Sequence, residues 1–334
     1  MDIITLAHGA GGQLTGELIE GLFYKYFKND FLFQGNDSTV LPAVKGRLVT
    51  STDSFVIKPI FFKGGDIGKL SICRTVNDLA MSGARPLYIT VGFIIEEGFE
   101  INKLERIVKS MAETAVAADV KIVAGDTKVV ERGSCDKIYI NTAGIGVLEG
   151  IIQLGGERAE TGNLVIINGS IGDHGASILI QRNELSINDD LKSDCALLNN
   201  LVSGILDNCQ KVKVLRDPSR GGVATTLNEI ARQSKVSIKL KEEDLPIRKE
   251  VRSLCQIAGF DPLYLANEGK VIAIVDSTEA EKVLEIMRKH PLGQKTGIIG
   301  EVIAEEDHRV YLETDLGGTR ILNMPFGELL PRIC

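Results

Sequence analysis

DIGKLSICRTVNDLAMSGARPLYITVGFII, residues 66–95, carries a helix signal and a strand signal back to back. Ile67, Leu70, Val76 and Leu79 recur at helical spacing, which predicts a helix over 66–82. Asp66 is its N-cap, since a carboxylate can accept from the unpaired N–H groups of a first turn. Gly83 stands just past the end, where a left-handed residue closes a helix. The chain then turns to a short, nearly continuous apolar run, predicting a strand at 87–95.

Outward from this pair the same rhythm continues. RLVTSTD at 47–53 reads as a strand ending in polar residues. Ile101, Leu104, Val108, Met111 and Ala115 give a helix over about 100–118 by periodicity. KIVAGD at 121–126 and KIYINTAGIGVL at 137–148 are strand-like. LGGERAETGN at 154–163 breaks the rhythm, and the domain boundary is placed there, giving units 1–154 and 155–322. LVIING at 164–169 opens a second series, with helices near 174–183, 191–207, 219–233, 246–258 and 278–289. Strands fall near 236–240, 270–275 and 297–304. The last stretch, 323–334, contains Pro325, Gly327 and Pro331, has no period, and reads as a mobile extended tail ending in Cys334. Taken alone, the alternation suggests a parallel α/β sheet.

A chain of 334 residues is long enough for two domains with well-formed cores. At 44% apolar and 25% charged it is globular in composition. A net charge of −7, no tryptophan and no dense Lys/Arg run argue against a nucleic-acid partner. The N-terminus lacks a signal-peptide pattern, and apolar runs such as 88–95 are too short to span a bilayer. The six cysteines show no CxxC pairing and no zinc spacing, which reads as reduced thiols in a cytoplasm. Most are expected in the core; Cys334 is the exception, and it lies too close to the end for a prenylation motif.

Two nucleotide-binding look-alikes fail on chemistry. GGDIGKL at 64–70 has too few residues between its glycines for a P-loop and no hydroxyl after Lys69 to reach magnesium. GIGVLEG at 144–150 sits inside a strand and opens no helix. HGAGG at 8–12 is a better candidate: Gly9, Gly11 and Gly12 would let backbone N–H groups converge on an anion before a helical start. Its bland alternative is a flexible turn.

The aspartates say more. Asp37, Asp53, Asp78 and Asp126 each sit at the end of an element or inside an apolar one. Asp78 lies late in its helix, where its charge meets the negative end of the dipole. Any one of them alone would read as a cap or turn residue. Four carboxylates brought together would need cations between them, and Mg²⁺ carried by a nucleotide supplies these. RDPSRGGV at 216–223 adds Asp217, with Arg216 and Arg220 and a glycine pair before a helix; the alternative, a capped helix start, leaves both arginines unexplained. Lys128 and Glu268 are polar residues beside apolar strands, either catalytic or surface residues. His174 is expected to cap or line a turn, and no Ser-His-Asp or GxSxG pattern appears.

Together, HGAGG, STDSF, VNDLAMSGA, AGDTKVV, INTAG, GDHGA, RDPSRGGV, ANEGK and the terminal PRIC, in this order from residue 8 to 334, closely resemble the HypE family of hydrogenase maturation factors. The wider superfamily includes aminoimidazole ribonucleotide synthetase, thiamine-monophosphate kinase and selenophosphate synthetase. Ala10 stands where some relatives have Ser. The resemblance implies an α+β fold of two domains, against the parallel sheet that alternation suggests. It also implies a homodimer whose N-terminal sheets pair, and ATP in a groove between domains.

The resemblance further implies an ATP-dependent carbamoyl dehydratase. Cys334 would receive a carbamoyl group from the carbamoyltransferase HypF, and the enzyme would dehydrate it to a thiocyanate. That group is the source of the cyanide ligands of the [NiFe] hydrogenase iron, passed to HypC and HypD. By position, Asp37, Asp53, Asp78, Asp126 and Asp217 would serve Mg²⁺ and nucleotide. Gly9, Gly11, Gly12, Asn141 and Arg220 would be further nucleotide contacts. Lys128 and Glu268 would sit near the chemistry as a coupled pair that takes the proton. The tail of residues 323–334 would span up to roughly 40 Å when extended, enough to dock and undock the thiol. A small-molecule kinase or synthetase of the same superfamily is the alternative, but it has no use for a terminal cysteine.

Overall fold

The computed structural model describes residues 3–182, 190–305 and 307–327. The expected mobile tail falls mostly on residues 328–334, which include Cys334 and lie outside the described residues.

After a 3-10 turn at Leu6–Gly9 come α1 (Gln13–Leu18), a π-helical stretch at Ile19–Tyr24 and α2 (Lys25–Phe27). Then follow β1 (Arg47–Phe55), the two-residue strands β2 (Phe61–Phe62) and β3 (Gly65–Asp66), α3 (Ile67–Met81) and β4 (Arg85–Glu96). The first unit ends with α4 (Ile101–Ala117), β5 (Lys121–Val130) and β6 (Ile138–Leu148). Its main sheet has the order β1-β6-β4-β5, in which only β4 and β5 run parallel.

Helix α3 forms as its sequence predicts. Asp66 Oδ1 accepts from Gly68 N at 2.8 Å and Lys69 N at 3.0 Å, and Gly83 closes the far end at φ 78°. The expected single apolar stripe understates its burial: only Lys69 and Asp78 escape it. The sheet lies on one side, α4 on another, and the second unit covers the rest. Gly68 permits the approach of α4, since a Cβ there would lie 2.5 Å from the Ile107 carbonyl oxygen.

Helices α3 and α4 cover one face of this sheet. Among the described residues no helix covers the other face, and along it Ser54, Asn141, Gly92 and Asp126 stand in one register row across all four strands. Thr50, Thr52, Ile94 and Lys128 are exposed on the same face.

The second unit comprises β7 (Leu164–Ile167), α5 (Asp173–Gln181), α6 (Asn199–Leu206), β8 (Val212–Arg216), α7 (Gly222–Ser234), β9 (Ser237–Lys241) and α8 (Lys249–Ala258). It continues with β10 (Ile272–Val275), α9 (Ala280–Lys289), β11 (Gly297–Ile303), β12 (Val310–Glu313) and β13 (Thr319–Leu322). The sheet order is β13-β12-β9-β11-β7-β10-β8, with only β12 and β9 parallel. Val165, Ile167, Ile272 and Ile274 face a core with α7. Ile166, Ala273 and Val275 face another with α6 and α9. Burial on both faces explains why β7 and β10 are wholly apolar.

The fold is α+β, and the parallel sheet suggested by alternation is corrected: both sheets are mostly antiparallel. The helix expected from 191 begins only at Asn199. Residues before it are held as an irregular segment, with Ser193 N donating to Lys63 O, Ala196 N to Glu268 O and Leu198 N to Asn77 Oδ1. Strands β2, β3, β8, β12 and β13 are not among those the periodicity predicts. His174 is not a turn residue but lies in the first turn of α5, fully buried, with Nδ1 2.8 Å from Ser193 Oγ. Burial lowers its pKa to about 4, so it is neutral. Among the described residues, no helix is long and apolar enough to cross a membrane.

Candidate active site

The site is built around a residue the sequence reading passed over. Arg74 sits in the middle of α3 and is buried. Its Nε lies 2.9 Å from Asp53 Oδ2 on β1, and its Nη1 lies 3.7 Å from Glu268 Oε1 in the loop before β10. The other Asp53 oxygen is met by Arg220 Nη2 at 3.0 Å, from the turn between β8 and α7. Asp53 is thus held by one arginine from each unit. The signal for Arg74 was present in the sequence: a guanidinium inside an otherwise apolar buried helix needs a carboxylate to face.

One turn further along α3, Asp78 accepts from Ser51 Oγ at 2.8 Å. Asp53, Arg74, Asp78, Asp217 and Arg220 line a cleft of about 490 Å³ between the two units. Arg216, the other arginine of RDPSRGGV, pairs with Glu229 at 2.6 Å. The glycine pair of this motif is a conformational requirement. Gly221 and Gly222 have φ of 68° and 65°, and a Cβ on Gly222 would lie 2.4 Å from the Leu263 carbonyl oxygen.

Electrostatics make these carboxyls unusual. Burial, with the charges of Asp217 and Asp53, pushes Asp78 up to about 7, against the Ser51 hydrogen bond and Arg74. Burial also raises Asp217, with Arg74 and Ser219 opposing. Glu268 rises to about 8, chiefly through burial, with Arg74 opposing and Asp217, Asp194 and Asp53 adding to the rise. A carboxyl that titrates near neutrality can take or give a proton at working pH. Asp78 and Asp217 repel each other, so a cation between them would relieve the strain.

The remaining candidates lie elsewhere. Asp37 and Asp126 line a separate pocket of about 270 Å³ with Phe27, Phe31, Phe93 and Thr39. Both are exposed. Asp126 is on the edge strand opposite that of Asp53, three strand steps or about 14 Å across the sheet, and on the opposite face. The five aspartates therefore form two groups within one chain. Among the described residues, no three His, Cys, Asp or Glu side chains are close enough together to hold a metal ion. A Mg²⁺ that keeps most of its waters and takes one or two carboxylates still fits Asp78 and Asp217.

In the glycine loop, Gly9 is needed for packing, since its Cβ would lie 2.9 Å from Val129 N. Gly11, at φ 83°, donates its N–H to Thr15 Oγ1 at 3.0 Å, and Gly12 is the N-cap of α1. Asn141 donates to Asp53 O and to Ser54 Oγ, both at 3.0 Å. Lys128 is exposed on β5 and forms no ion pair with Glu268 among the described residues; within one chain Glu268 faces Arg74.

Comparison with known proteins gives this geometry a context. Residues 35–148 match the N-terminal domain, and residues 160–313 the C-terminal domain, of the AIR synthase related protein family. The carbamoyl dehydratase HypE of Azotobacter vinelandii is 48% identical over 331 residues, covering 99% of this chain and 97% of that protein. A crystal structure of the hydrogenase maturation protein HypE in complex with ATP superposes with a TM-score of 0.95 at 47% identity, covering 99% of both chains. A HypE chain from a HypE–HypF complex gives a TM-score of 0.81 at 49% identity, covering 92% of this chain and 99% of that one. The chain belongs to the AIR synthase related family and, within it, to the HypE carbamoyl dehydratases.

Proposed function

We propose that this protein uses ATP to dehydrate an S-carbamoyl group on its own Cys334 to a thiocyanate, as a step in hydrogenase maturation. The observation that carries the reading is Glu268, a buried carboxyl poised near neutrality beside Arg74, in a chain alike from end to end to carbamoyl dehydratases. An amide oxygen leaves poorly; transfer of the ATP γ-phosphoryl group converts it into phosphate, which leaves readily. The nitrogen then loses both protons as the C≡N bond forms, one accepted by Glu268 and the other carried off by the departing phosphate. Atoms balance: thiocarbamate and ATP give thiocyanate, ADP and phosphate.

Asp78 and Asp217 would hold Mg²⁺, which supplies positive charge against the phosphates when bound. Arg74 keeps Asp53 in place and orients Glu268, and Arg220 is exposed enough to swing from Asp53 toward a phosphate. The ATP complex of a 47% identical relative supports ATP as the nucleotide, and the HypE–HypF complex supports HypF as the carbamoyl donor. Residues 1–154 are read as the nucleotide and dimerisation domain, and residues 155–322 as the second domain. Two copies would pair through the open face of the first sheet. That pairing puts Asn141, Asp126 and Lys128 at the interface, where Lys128 would approach a partner's site. Transfer to HypC and HypD in a reducing cytoplasm completes the proposal.

Intact mass after incubation with ATP, carbamoyl phosphate and HypF tests it. Addition of a carbamoyl group at Cys334 followed by loss of water is expected. No adduct, with a free metabolite phosphorylated instead, would overturn the reading.

A further inference from the structure

A second cavity, of about 530 Å³, opens on the far side of the Glu268 loop and takes no part in the chemistry above. Its walls carry Lys192, Arg248, Lys270 and Lys295 against Asp173 and Asp194. The carboxylates are matched: Lys270 Nζ lies 2.9 Å from Asp194 Oδ2, and Arg248 Nε 3.2 Å from Asp173 Oδ2. Asp190, also on the wall, pairs with Lys63 at 2.9 Å. Lys192 and Lys295 have no ion-pair partner among the described residues, which leaves the cavity with an excess of positive charge.

Asp173 adds the selective feature. Its residue is 2% exposed, Oδ2 is taken by Ser170 and Arg248, and Oδ1 has no hydrogen-bond partner among the described residues. A buried carboxylate oxygen without a donor costs free energy until one arrives. An anion entering this cavity would therefore satisfy the lysines with its charge and Asp173 with a proton of its own. Sulfate has no such proton at neutral pH. A dianionic phosphate monoester has none either. Hydrogen phosphate does.

We propose that this cavity binds inorganic phosphate, with Lys192 and Lys295 countering its charge and Asp173 Oδ1 accepting its P–OH. The cavity size is within the range of small-ligand sites. The site is independent of the dehydration reading.

The test is calorimetry on the full-length protein at pH 8, where phosphate is mostly the hydrogen phosphate dianion, in EDTA, which prevents metal-bridged phosphate in the acidic cleft. Phosphate should bind, and sulfate should bind about tenfold or more weakly, the factor one unmet buried hydrogen bond imposes. Asp173→Asn, whose amide can donate to an unprotonated oxyanion, should erase or reverse that preference. Lys192→Ala/Lys295→Ala, two exposed positions whose loss spares the fold, should weaken phosphate about tenfold or more. Equal binding of phosphate and sulfate, no phosphate binding, or phosphate binding unchanged in the double lysine variant would each overturn the proposal.

Discussion

Arg74 Nε lies 2.9 Å from Asp53 Oδ2, and both side chains are under a tenth exposed, so a charge pair shielded from water ties helix α3 to strand β1. Arg220 reaches the other oxygen of the same carboxylate from the second unit at 3.0 Å, yet its side chain is 74% exposed. The two arginines share a partner but not an environment.

That difference yields the first prediction. Arg74→Leu removes the buried cation beside Glu268 and leaves Asp53 with only the solvent-exposed Arg220, and should cost about 3–5 kcal/mol. Arg220→Ala removes a solvent-screened contact and should cost about 0–1 kcal/mol. Urea unfolding of both variants checks the contrast, and equal costs would contradict the burial argument.

Stability should depend on pH through Glu268 and Asp78. Their folded-state values, about 8 and about 7, lie above those of an unfolded chain, so the native state binds more protons between the two. Stability of the metal-free and nucleotide-free protein should therefore fall as pH rises from about 4.5 to 8. Glu268→Gln should flatten this fall in a series of thermal melts. An unchanged slope would remove Glu268 as its source.

Asp78→Asn relieves repulsion with Asp217, so the metal-free variant should melt higher than the parent at pH 8. Its ATP-dependent turnover should drop by about tenfold or more if Asp78 serves the phosphoryl step. Melting temperature and turnover moving in opposite directions is the expected pattern.

Gly222→Ala should cost more than about 3 kcal/mol, because strain at φ 65° adds to a Cβ placed 2.4 Å from Leu263 O. Gly259→Ala is the comparison: φ is 72° there, but nothing lies within 4 Å of its Cβ, so about 1 kcal/mol is expected. Chemical denaturation separates the two.

Cys334→Ala should keep ATP binding and form no thiocyanate. Calorimetry with ATP and intact mass after carbamoylation read the two halves separately.

Local order was legible from residues alone. The helix at 66–82 was read with its cap and its stop because periodicity, the Asp66 cap and Gly83 all act within a few residues of one another. The same holds for α4, with Ile101, Leu104, Val108, Met111 and Ala115 on one face. The segment 191–198 failed as a helix because its backbone groups are claimed by Lys63, Asn77 and Glu268, partners that local spacing does not reveal.

By itself, then, the sequence determined the elements whose signals are local, such as α3 and α4, the Gly83 turn that closes α3, and the motif set that marks the family. Tertiary structure alone decided that the sheets are mostly antiparallel, that Asp53 and Asp126 face opposite sides of one sheet, and that Glu268 answers to Arg74 within the chain. Asp53 and Arg220 are 167 residues apart in sequence, and their contact depends on how two separately folded sheets pack. Periodicity reports which face of an element is buried; it carries no information about which distant charge will be buried against it.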